Sequence, residues 1–437
     1  MSGLRVLGPP RGMDDLLPDD FALKHRVVEV IREVFKLFGY LEVETPTVEY
    51  YELFAAKSGE EIRERMFDFR DKAGRHLVLR PEVTASIARL MSTKLKAAPL
   101  PIRLGYKADC YRYDEPQWGR KRRFWQGGFE LFGSRSPLAD AEILQASYEV
   151  FVRLGMKDHF FRVGHVGILR SILTDYNVEE SVQDRILTMI DRGMEAEAFN
   201  AMRENGVDED GVKAVEELIR LKGEERGEIF SKASDILSPW REAGKHLEEL
   251  NTIIDSAVEY GVNSKIIVEP GMARGLEYYT GFIFEQGVPE ADVSLNGGGR
   301  YDKLVELFGG KPTPGVGCAI GITRITHYLS EKRGVRQRAK RPCTLLVGIQ
   351  ASERYISRVA GTLRRMGIPV EVEVTGKRLP AAIEYALKSG IKYLVIVGSR
   401  EESRNTASVR DLERKTQVEV SLDEGGRLAE MLGERIC

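Results

Sequence analysis

The first part of the chain predicts helices and strands in alternation. Residues 18–40 begin with acidic side chains, carry apolar residues at helical spacing and reach Gly39, which predicts an amphipathic helix. The next segment, LEVETPTVEYYELF, predicts a strand interrupted by Pro46. Strand patterns return much later at SKIIVEPG, YYTGFIFEQGV and ADVSLNGGGR, and the glycine-rich strand GVGCAIGI leads into a helix.

A long stretch in the middle of the chain is helical in pattern throughout. No proline occurs between Pro137 and Pro239, and the apolar positions keep helical spacing. We interpret residues of about 170–250 as a helical insertion within a larger domain that spans residues 1–330.

The C-terminal part of the chain has a different pattern. Residues 331–341 read EKRGVRQRAKR, with six basic residues and one acid, and predict an exposed basic linker at 331–342. Beyond it, CTLLVGIQ and KYLVIVG are short apolar runs typical of buried parallel strands, with helical patterns between them. Residues 343–437 therefore predict a separate small α/β domain, whose mixed sheet is completed by ASVRDL and TQVEVSL.

Composition describes an ordinary globular protein. The chain has 437 residues, 42% hydrophobic and 30% charged, with a formal net charge of −2, so any nucleic-acid binding has to come from local patches. The four cysteines are far apart and form no CxxC pair, which argues against a structural zinc site. No apolar leader or run of membrane-spanning length is present, and we expect a cytoplasmic protein without a membrane partner.

A basic loop carries the first chemical signal. Residues 112–130 read RYDEPQWGRKRRFWQGGFE, with four consecutive basic residues from Arg120 to Arg123. Downstream, the alternation of a strand places Gln126 and Glu130 on one face. A nucleic-acid patch, a phosphate clamp and a solvated hairpin tip are all open interpretations of the basic residues. The polar strand face beside them favours a site for a charged ligand.

Familiar nucleotide motifs are absent from the sequence. It contains no GxxxxGK[ST] and no HExxH. If the chain handles a nucleotide, arginines have to hold the phosphates and a carboxylate has to hold magnesium. Four arginines stand beside glycine or aromatic residues at suitable places: Arg112, Arg120, Arg274 and Arg324.

Further candidates each have a purely structural interpretation. Glu82 and Thr84 lie in LRPEVTAS, where Glu82 would also suit the first turn of a helix because a negative charge complements the helix dipole. Tyr278 and Tyr279 would also serve as ordinary strand aromatics. Only the joint occurrence of these residues in a fixed order favours a functional site.

These segments together resemble a known family. FGYLEVETPTVEYYELF, RYDEPQWGRKRRFWQGGFELFG and GVGCAIGITRI resemble motifs 1, 2 and 3 of class II aminoacyl-tRNA synthetases. RGMDDLLP, LRPEVTAS, ARGLEYYTGFIFE and GGGRYDKLVELFGG resemble segments specific to histidyl-tRNA synthetase, and RGLEYYTG followed by GGGRYDKLVE is the most specific pair. The resemblance covers nearly the whole chain.

The resemblance implies both a fold and a reaction. The implied fold is α/β, with an α+β catalytic core built on an antiparallel sheet of about six strands, dimerised through motif 1, and an anticodon-binding domain at 343–437. The implied reaction joins L-histidine to ATP, with Mg²⁺, to give histidyl-adenylate, and then passes histidine to the 3′ end of tRNA(His). Magnesium would arrive with ATP, and no metal site made of protein ligands alone is predicted.

Roles follow by matching the motifs. The resemblance assigns Arg112 to the α-phosphate, Arg120 and Arg324 to the β- and γ-phosphates, and Arg274 to the histidine carboxylate and the α-phosphate. Arg274 and Arg112 are thereby the catalytic residues. The histidine-binding set comprises Arg274 together with Glu82, Thr84, Gln126, Glu130, Tyr278, Tyr279 and Tyr301.

The chain departs from the family pattern at three places. Glu277 stands where Asp is frequent, Thr323 where an acidic residue often precedes the motif 3 arginine, and Val83 where Gly is common. Two other functions were weighed: the regulatory subunit of ATP phosphoribosyltransferase, and a non-enzymatic nucleic-acid-binding protein on a synthetase scaffold. The retained Arg112, Arg274 and Arg324 and the additional C-terminal domain argue against the regulatory subunit. A protein that only binds nucleic acid would not need Glu82, Gln126 and Glu130 together with those arginines.

Overall fold

The computed structural model describes residues 8–56, 63–274, 278–423 and 425–432. The chain divides into two compact units, Met1–Gln337 and Arg338–Cys437. Residues 334–342, around the boundary, have no regular secondary structure and are mostly exposed. Within the described residues, no helix is both long enough and apolar enough to cross a membrane.

The first unit contains most of the helices. Their bounds are α1 Pro18–Phe38, α2 Tyr51–Ala55, α3 Thr84–Ser92, α4 Pro137–Arg153, α5 Val166–Asp175, α6 Glu180–Asp191, α7 Glu195–Glu204, α8 Glu209–Arg220, α9 Arg226–Ile236, α10 Arg241–Glu259, α11 Leu304–Leu307 and α12 Ile322–His327, followed by a π-helical turn at Tyr328–Lys332. The strands of this unit are β1 Leu41–Glu42, β2 Val48–Tyr50, β3 Phe67–Arg70, β4 His76–Leu79, β5 Ile102–Tyr111, β6 Arg123–Phe132, β7 Phe160–His165, β8 Lys265–Val268, β9 Phe282–Gly287, β10 Asn296–Arg300 and β11 Gly315–Gly321.

The first helix forms where the pattern predicts it. Pro18 occupies the first turn of α1 with Asp19 and Asp20, and Gly39 ends the helix at φ 73°, a left-handed conformation that glycine adopts without strain. The buried face of α1 includes Val27, Ile31, Val34 and Phe35, which join the core under the large sheet. This packing covers one face of the sheet and leaves the opposite face available for a site.

One large sheet organises the first unit. In the described part of the chain its order is β1-β5-β6-β11-β10-β9-β7-β8. The six central strands are β5, β6, β11, β10, β9 and β7. Each pairs antiparallel with the next one in this order, which confirms the predicted antiparallel sheet. The edge strands β1 and β8 add parallel pairs, so the complete sheet is mixed.

The segment around Pro46 belongs to two sheets. β1 pairs with β5 in the large sheet, whereas β2, beyond Pro46, pairs with β4 in a small sheet of order β2-β4-β3. Proline has no N–H for a strand ladder, and the change of sheet takes place at the interruption that the sequence predicts.

Helices α5 to α10 occupy the chain between β7 and β8. Most of these helices share a core of their own, whose buried residues include Ile172, Leu187, Met202, Val215 and Leu247. Their apolar faces pack against one another, as the amphipathic spacing requires.

The second unit has an α/β fold with a mixed sheet. Its elements are β12 Thr344–Ile349, α13 Glu353–Arg365, β13 Val370–Val372, α14 Leu379–Lys388, β14 Tyr393–Gly398, α15 Ser399–Arg404, β15 Thr406–Asp411, β16 Thr416–Ser421 and α16 Gly425–Leu432. The strand order is β13-β12-β14-β15-β16, with parallel pairs at β13-β12 and β12-β14 and antiparallel pairs beyond. The mixed sheet predicted for this region is confirmed.

A buried ion pair fixes the end of β10. Arg300 donates from Nε to Asp140 Oδ1 at 3.0 Å and from Nη2 to Asp140 Oδ2 at 2.5 Å, and both side chains are almost fully buried. Arg300 also donates to the carbonyl of Ser134 and to Asp302. The pair ties β10 to α4 one residue before Tyr301, and thereby sets where that tyrosine enters the site.

Replacing Arg300 should destabilise the first unit strongly. Arg300→Met leaves the Asp140 carboxylate buried without its cation, and we expect the free energy of unfolding to fall by about 3–5 kcal/mol. Arg103→Met is the matched control, because Arg103 makes a two-bond pair with Glu142 whose side chains are 32% and 16% exposed. That loss should be below about 1 kcal/mol. Urea denaturation measures both, and equal losses would contradict the assignment.

Candidate active site

A cleft over one face of the large sheet gathers the predicted residues. It is lined by Glu82, Thr84, Arg112, Arg120, Gln126, Arg274, Tyr278, Tyr279, Tyr301 and Arg324. Glu130 is fully buried and makes contact with two of these lining residues. Residues that lie up to about two hundred and forty positions apart in the sequence, Glu82 and Arg324, therefore share one site.

The cleft carries a group of arginines that is only partly compensated. Arg324 donates from Nη1 to the Ser294 carbonyl at 2.6 Å and from Nε to the Gly119 carbonyl at 3.1 Å. Arg112 donates from Nε to the Pro81 carbonyl at 2.9 Å. These neutral partners fix the guanidinium groups without cancelling their charge.

The electrostatics of Arg324 reflect this crowding. Burial, together with the positive charges of Arg112 and Arg120, lowers the pKa of Arg324 to about 10. Asp114 is the nearby counter-charge, 3.8 Å from Arg120 Nε and 3.5 Å from Arg65 Nη1. Cations held together in a partly desolvated cleft favour a ligand with several negative charges.

A buried polar cluster lies beneath the cleft. Thr84 Oγ1 donates to Glu130 Oε1 at 2.7 Å, and the Tyr301 hydroxyl donates to Glu130 Oε2. Burial raises the pKa of Glu130 to about 8, against the opposing effect of these two hydrogen bonds. The carboxyl group therefore holds Thr84 and Tyr301 in fixed orientations, and its pKa lies well above the ordinary value.

Gly317 makes room for this cluster. It lies opposite Glu130 in the pairing of β6 with β11. A Cβ atom at position 317 would lie 1.9 Å from Glu130 Oε2 and 2.6 Å from the Tyr301 hydroxyl. No larger residue fits without displacing the pair, so this glycine is part of the site although it offers no functional group.

Aromatic rings form one wall. The rings of Tyr278 and Tyr279 have centroids 4.9 Å apart, and Tyr278 meets Tyr301 edge-on at 5.9 Å. The Arg274 guanidinium lies 5.8 Å from the ring of Tyr279 and donates to the Phe284 carbonyl at 2.6 Å. Both tyrosines precede β9, which begins at Phe282, so interpreting them as strand aromatics is wrong.

Glu82 and Gln126 have structural partners as well as a place in the lining. Glu82 accepts the Ala85 N–H at 3.0 Å in the first turn of α3, which agrees with the helix-start interpretation. Burial nevertheless raises the pKa of Glu82. Gln126 accepts from the Cys110 thiol at 3.4 Å. The two interpretations of Glu82 are compatible, because the same carboxylate caps the helix and faces the cleft.

Comparison with known proteins decides the family. The family model described as "Histidyl-tRNA synthetase" matches residues 12–325, and the model described as "Anticodon binding domain" matches residues 343–428. The chain is 37% identical over 417 residues to the histidine–tRNA ligase of Pyrococcus abyssi (strain GE5 / Orsay), covering 94% of this chain and 96% of that protein. It is 35% identical over 418 residues to that of Methanocaldococcus jannaschii, covering 95% and 97%.

The chain belongs to the histidyl-tRNA synthetase family.

Solved structures agree with this placement. Histidyl-tRNA synthetase from Nostoc sp. PCC 7120 superposes with a TM-score of 0.75 at 25% identity, covering 98% of this chain and all of that chain. An ATP phosphoribosyltransferase regulatory subunit/histidyl-tRNA synthetase from Bacillus halodurans C gives 0.72 at 26% identity, covering 87% and 97%. The class II synthetase architecture predicted for this family member is confirmed.

The basic loop of this synthetase has two parts. Arg120 and Lys121 both line the cleft, and Lys121 Nζ is also 3.1 Å from Asp14. Arg123 is 3.3 Å from Asp109, and the Arg122 guanidinium lies 3.7 Å from the centre of the Tyr113 ring. The last three cations thus have partners within the chain. The Arg122 N–H donates to the Gly12 carbonyl at 2.9 Å, so Lys121 and Arg122 both contact the RGMDD segment.

The departures from the family pattern have different outcomes. Thr323 Oγ1 accepts the Trp125 N–H at 2.8 Å and so fixes the start of β6 beside the cleft. Val83 is buried before the first turn of α3. Glu277 lies outside the described residues. Sequence reasoning missed Asp114 and Glu285, which also line the cleft. The signal for Glu285 was a charged residue within the apolar strand FIFEQG.

A separate cluster offers metal-ligand chemistry in the described residues. His165, His246 and Glu249 lie close together, with His165 Nε2 at 3.5 Å and His246 Nδ1 at 3.6 Å from Glu249 Oε2. His165 Nδ1 accepts the Gly167 N–H, so its neutral ring carries the proton on Nε2. That nitrogen makes no hydrogen bond within the described residues, although Glu249 Oε2 is 3.5 Å away. The two histidines lower the pKa of Glu249.

Glu130 should make stability decrease with rising pH. Its pKa is about 8 in the folded protein against an ordinary 4.5, so between these values the folded state keeps a proton that the unfolded chain loses. The resulting stabilisation is complete below the lower pKa and is lost as pH rises through the higher one. Glu130→Gln removes this titration but keeps the shape.

The test compares the two proteins by urea denaturation at about pH 6 and about pH 8. The fall in unfolding free energy between these conditions should be smaller in Glu130→Gln than in the wild type. The same fall in both proteins would mean that Glu130 is already ionised when folded.

Proposed function

We propose that the cleft activates histidine with ATP and that the chain then transfers histidine to tRNA(His). The observation that carries the proposal is the meeting, in one cleft, of only partly compensated arginines with a polar and aromatic pocket. No carboxylate lies within 4.0 Å of the guanidinium groups of Arg112 or Arg324 among the residues that the structure describes. The arginine end suits a triphosphate, and the tyrosine end suits an imidazole.

In the first step, a carboxylate oxygen of histidine attacks the α-phosphorus of ATP. The bond to the bridging oxygen breaks, pyrophosphate leaves and histidyl-adenylate forms. Two anions have to approach each other, so the step needs charge neutralisation and in-line positioning more than a protein base. Arg112 and Arg274 supply this at the α-phosphate, while Arg120 and Arg324 hold the β- and γ-phosphates.

The remaining residues position histidine. Tyr278, Tyr279 and Tyr301 form an aromatic wall, and Glu130 fixes Tyr301 and Thr84 from beneath. The carboxylate of Glu82 and the amide of Gln126 face the same space and bind the amino acid. In the second step, a hydroxyl of the terminal ribose of tRNA attacks the carbonyl carbon and AMP leaves. The second unit, which resembles an anticodon reader, binds the tRNA.

One residue of the cleft, Asp114, is a suitable ligand for magnesium. Asp114 is 8% exposed, and its Oδ1 accepts no hydrogen bond from the described residues, although Arg65 Nη1 lies 3.5 Å from it. Such an oxygen would hold Mg²⁺, whose other ligands come from ATP and water. When bound, the ion neutralises phosphate charge. We infer that the reaction takes place in the cytoplasm, where the tRNA is charged for translation.

Pyrophosphate exchange tests the activation step. The wild type should exchange pyrophosphate into ATP with histidine and not with other standard amino acids. Arg274→Ala should lower the rate about a hundredfold, or roughly 2.7 kcal/mol, because the guanidinium acts on the transition state. Its melting temperature should stay close to the wild-type value.

Pyrophosphate exchange with several amino acids would contradict the proposed specificity. A wild type without exchange would instead favour a regulatory subunit. A wild-type rate in Arg274→Ala, or loss of its fold, would contradict the assigned role.

A homodimer through the motif 1 region accounts for an exposed apolar surface. From the end of α1 to β2 the exposed large apolar residues are Leu37, Leu41, Val48 and Tyr50. Leu41 is 68% exposed, on an edge strand of the large sheet. Exposed apolar residues gathered near an open strand edge are typical of a surface that is covered by a partner.

Charging this surface should weaken self-association. Leu41→Asp places a carboxylate on the proposed interface, and we expect the dimer dissociation constant to rise at least about a hundredfold. Leu387→Asp is the control, since Leu387 is 61% exposed but lies in the second unit. Sedimentation equilibrium measures both. A monomeric wild type, or equal effects of the two substitutions, would contradict this interface.

A further inference from the structure

A chain of alternating charges crosses the sheet beside the cleft. Glu269 receives two hydrogen bonds of 2.7 Å from Arg162, through Nε and Nη2. The third nitrogen of Arg162, Nη1, is 3.1 Å from Glu285 Oε2. The other oxygen of Glu285 is 3.7 Å from Nη2 of Arg274. Four charged side chains thus lead from outside the cleft to the arginine that we assign to the α-phosphate.

The sheet register sets this order. Arg162 on β7 lies opposite Glu285 on β9, and Glu285 lies opposite Gly297 on β10. A Cβ atom at Gly297 would be 2.3 Å from Arg274 Nη1, so the guanidinium occupies the space of the missing side chain. Arg162, Glu285 and Arg274 therefore stand side by side across three neighbouring strands.

Glu285 is shared unequally between its two cations. Its Oε2 makes a hydrogen bond with Arg162, whereas its Oε1 stays beyond hydrogen-bond distance of Arg274. No other cation lies within 4.0 Å of Glu285 among the described residues. A carboxylate that is already paired attracts a second cation less, so Arg162 limits the pull of Glu285 on Arg274.

We propose that Arg162 is a positioning residue for the activation step, which keeps Glu285 from closing a full ion pair with Arg274. The inference rests on the proposed function of Arg274. With Arg162 in place, Nη2 of Arg274 remains available to the substrate carboxylate and the α-phosphate. Without Arg162, Glu285 turns to Arg274 as its remaining partner, and the guanidinium has to leave that pair before it acts on the transition state.

Arg162→Met tests the proposal in pyrophosphate exchange with histidine. We expect kcat/KM for histidine to fall about tenfold while the KM for ATP stays within about twofold, since Arg274 acts on the histidine carboxylate and on the transition state. Arg103→Met is the matched control, because it removes a two-bond pair of the same geometry from a strand of the same sheet outside the cleft lining. Its kcat/KM for histidine should equal that of the wild type.

Double variants show whether Arg162 acts through the chain of charges. In a Glu285→Gln background and in an Arg274→Ala background, Arg162→Met should change kcat/KM for histidine by less than about twofold, because the pair that it prevents no longer forms. An undiminished tenfold loss in either background would overturn this inference. So would equal losses in Arg162→Met and Arg103→Met, or a loss confined to the KM for ATP. A wild-type rate in Arg274→Ala alone would instead overturn the proposed function.

Discussion

The site depends on close approach of side chains to the backbone of the central strands. Glu130, Tyr301 and Arg274 all occupy space that a Cβ atom on β10 or β11 would fill. Gly317 leaves room for the Glu130–Tyr301 pair, and Gly297 leaves room for the Arg274 guanidinium. The antiparallel register then decides which residues meet over each gap, because it places Glu130 opposite Gly317 and Glu285 opposite Gly297.

The two ends of the cleft have opposite electrostatic preferences. Around Arg324, burial and the neighbouring cations Arg112 and Arg120 lower the pKa of the guanidinium, so that end favours negative charge. Beneath the tyrosines, burial raises the pKa of Glu130, so the floor favours a neutral carboxyl. A ligand that is anionic at one end and a neutral or weakly basic ring at the other fits both conditions, and an aminoacyl-adenylate of histidine has this distribution of charge.

Three ion pairs of the first unit show that such pairs differ in their effects. Arg300 and Asp140 are buried, and their pair fixes β10 and the position of Tyr301. Arg103 and Glu142 are partly solvated and tie a strand to a helix outside the cleft. Arg162 is 40% exposed, yet it contacts the carboxylate that faces Arg274. Burial sets the effect of a pair on folding, whereas its place in the sheet sets the effect on chemistry.

The sequence by itself determined the local elements and the chemical inventory. Helix α1, the mixed sheet of the second unit and the interruption at Pro46 follow from periodicity and from proline and glycine chemistry, which act over a few residues. The motifs predicted the arginines and tyrosines that line one cleft in the structure. Only the tertiary structure decided which charges face each other. The sharing of Glu285, the partners of Lys121 and Arg123 and the depth of Glu130 depend on strand register and on burial between distant segments, and neither is encoded in a local pattern.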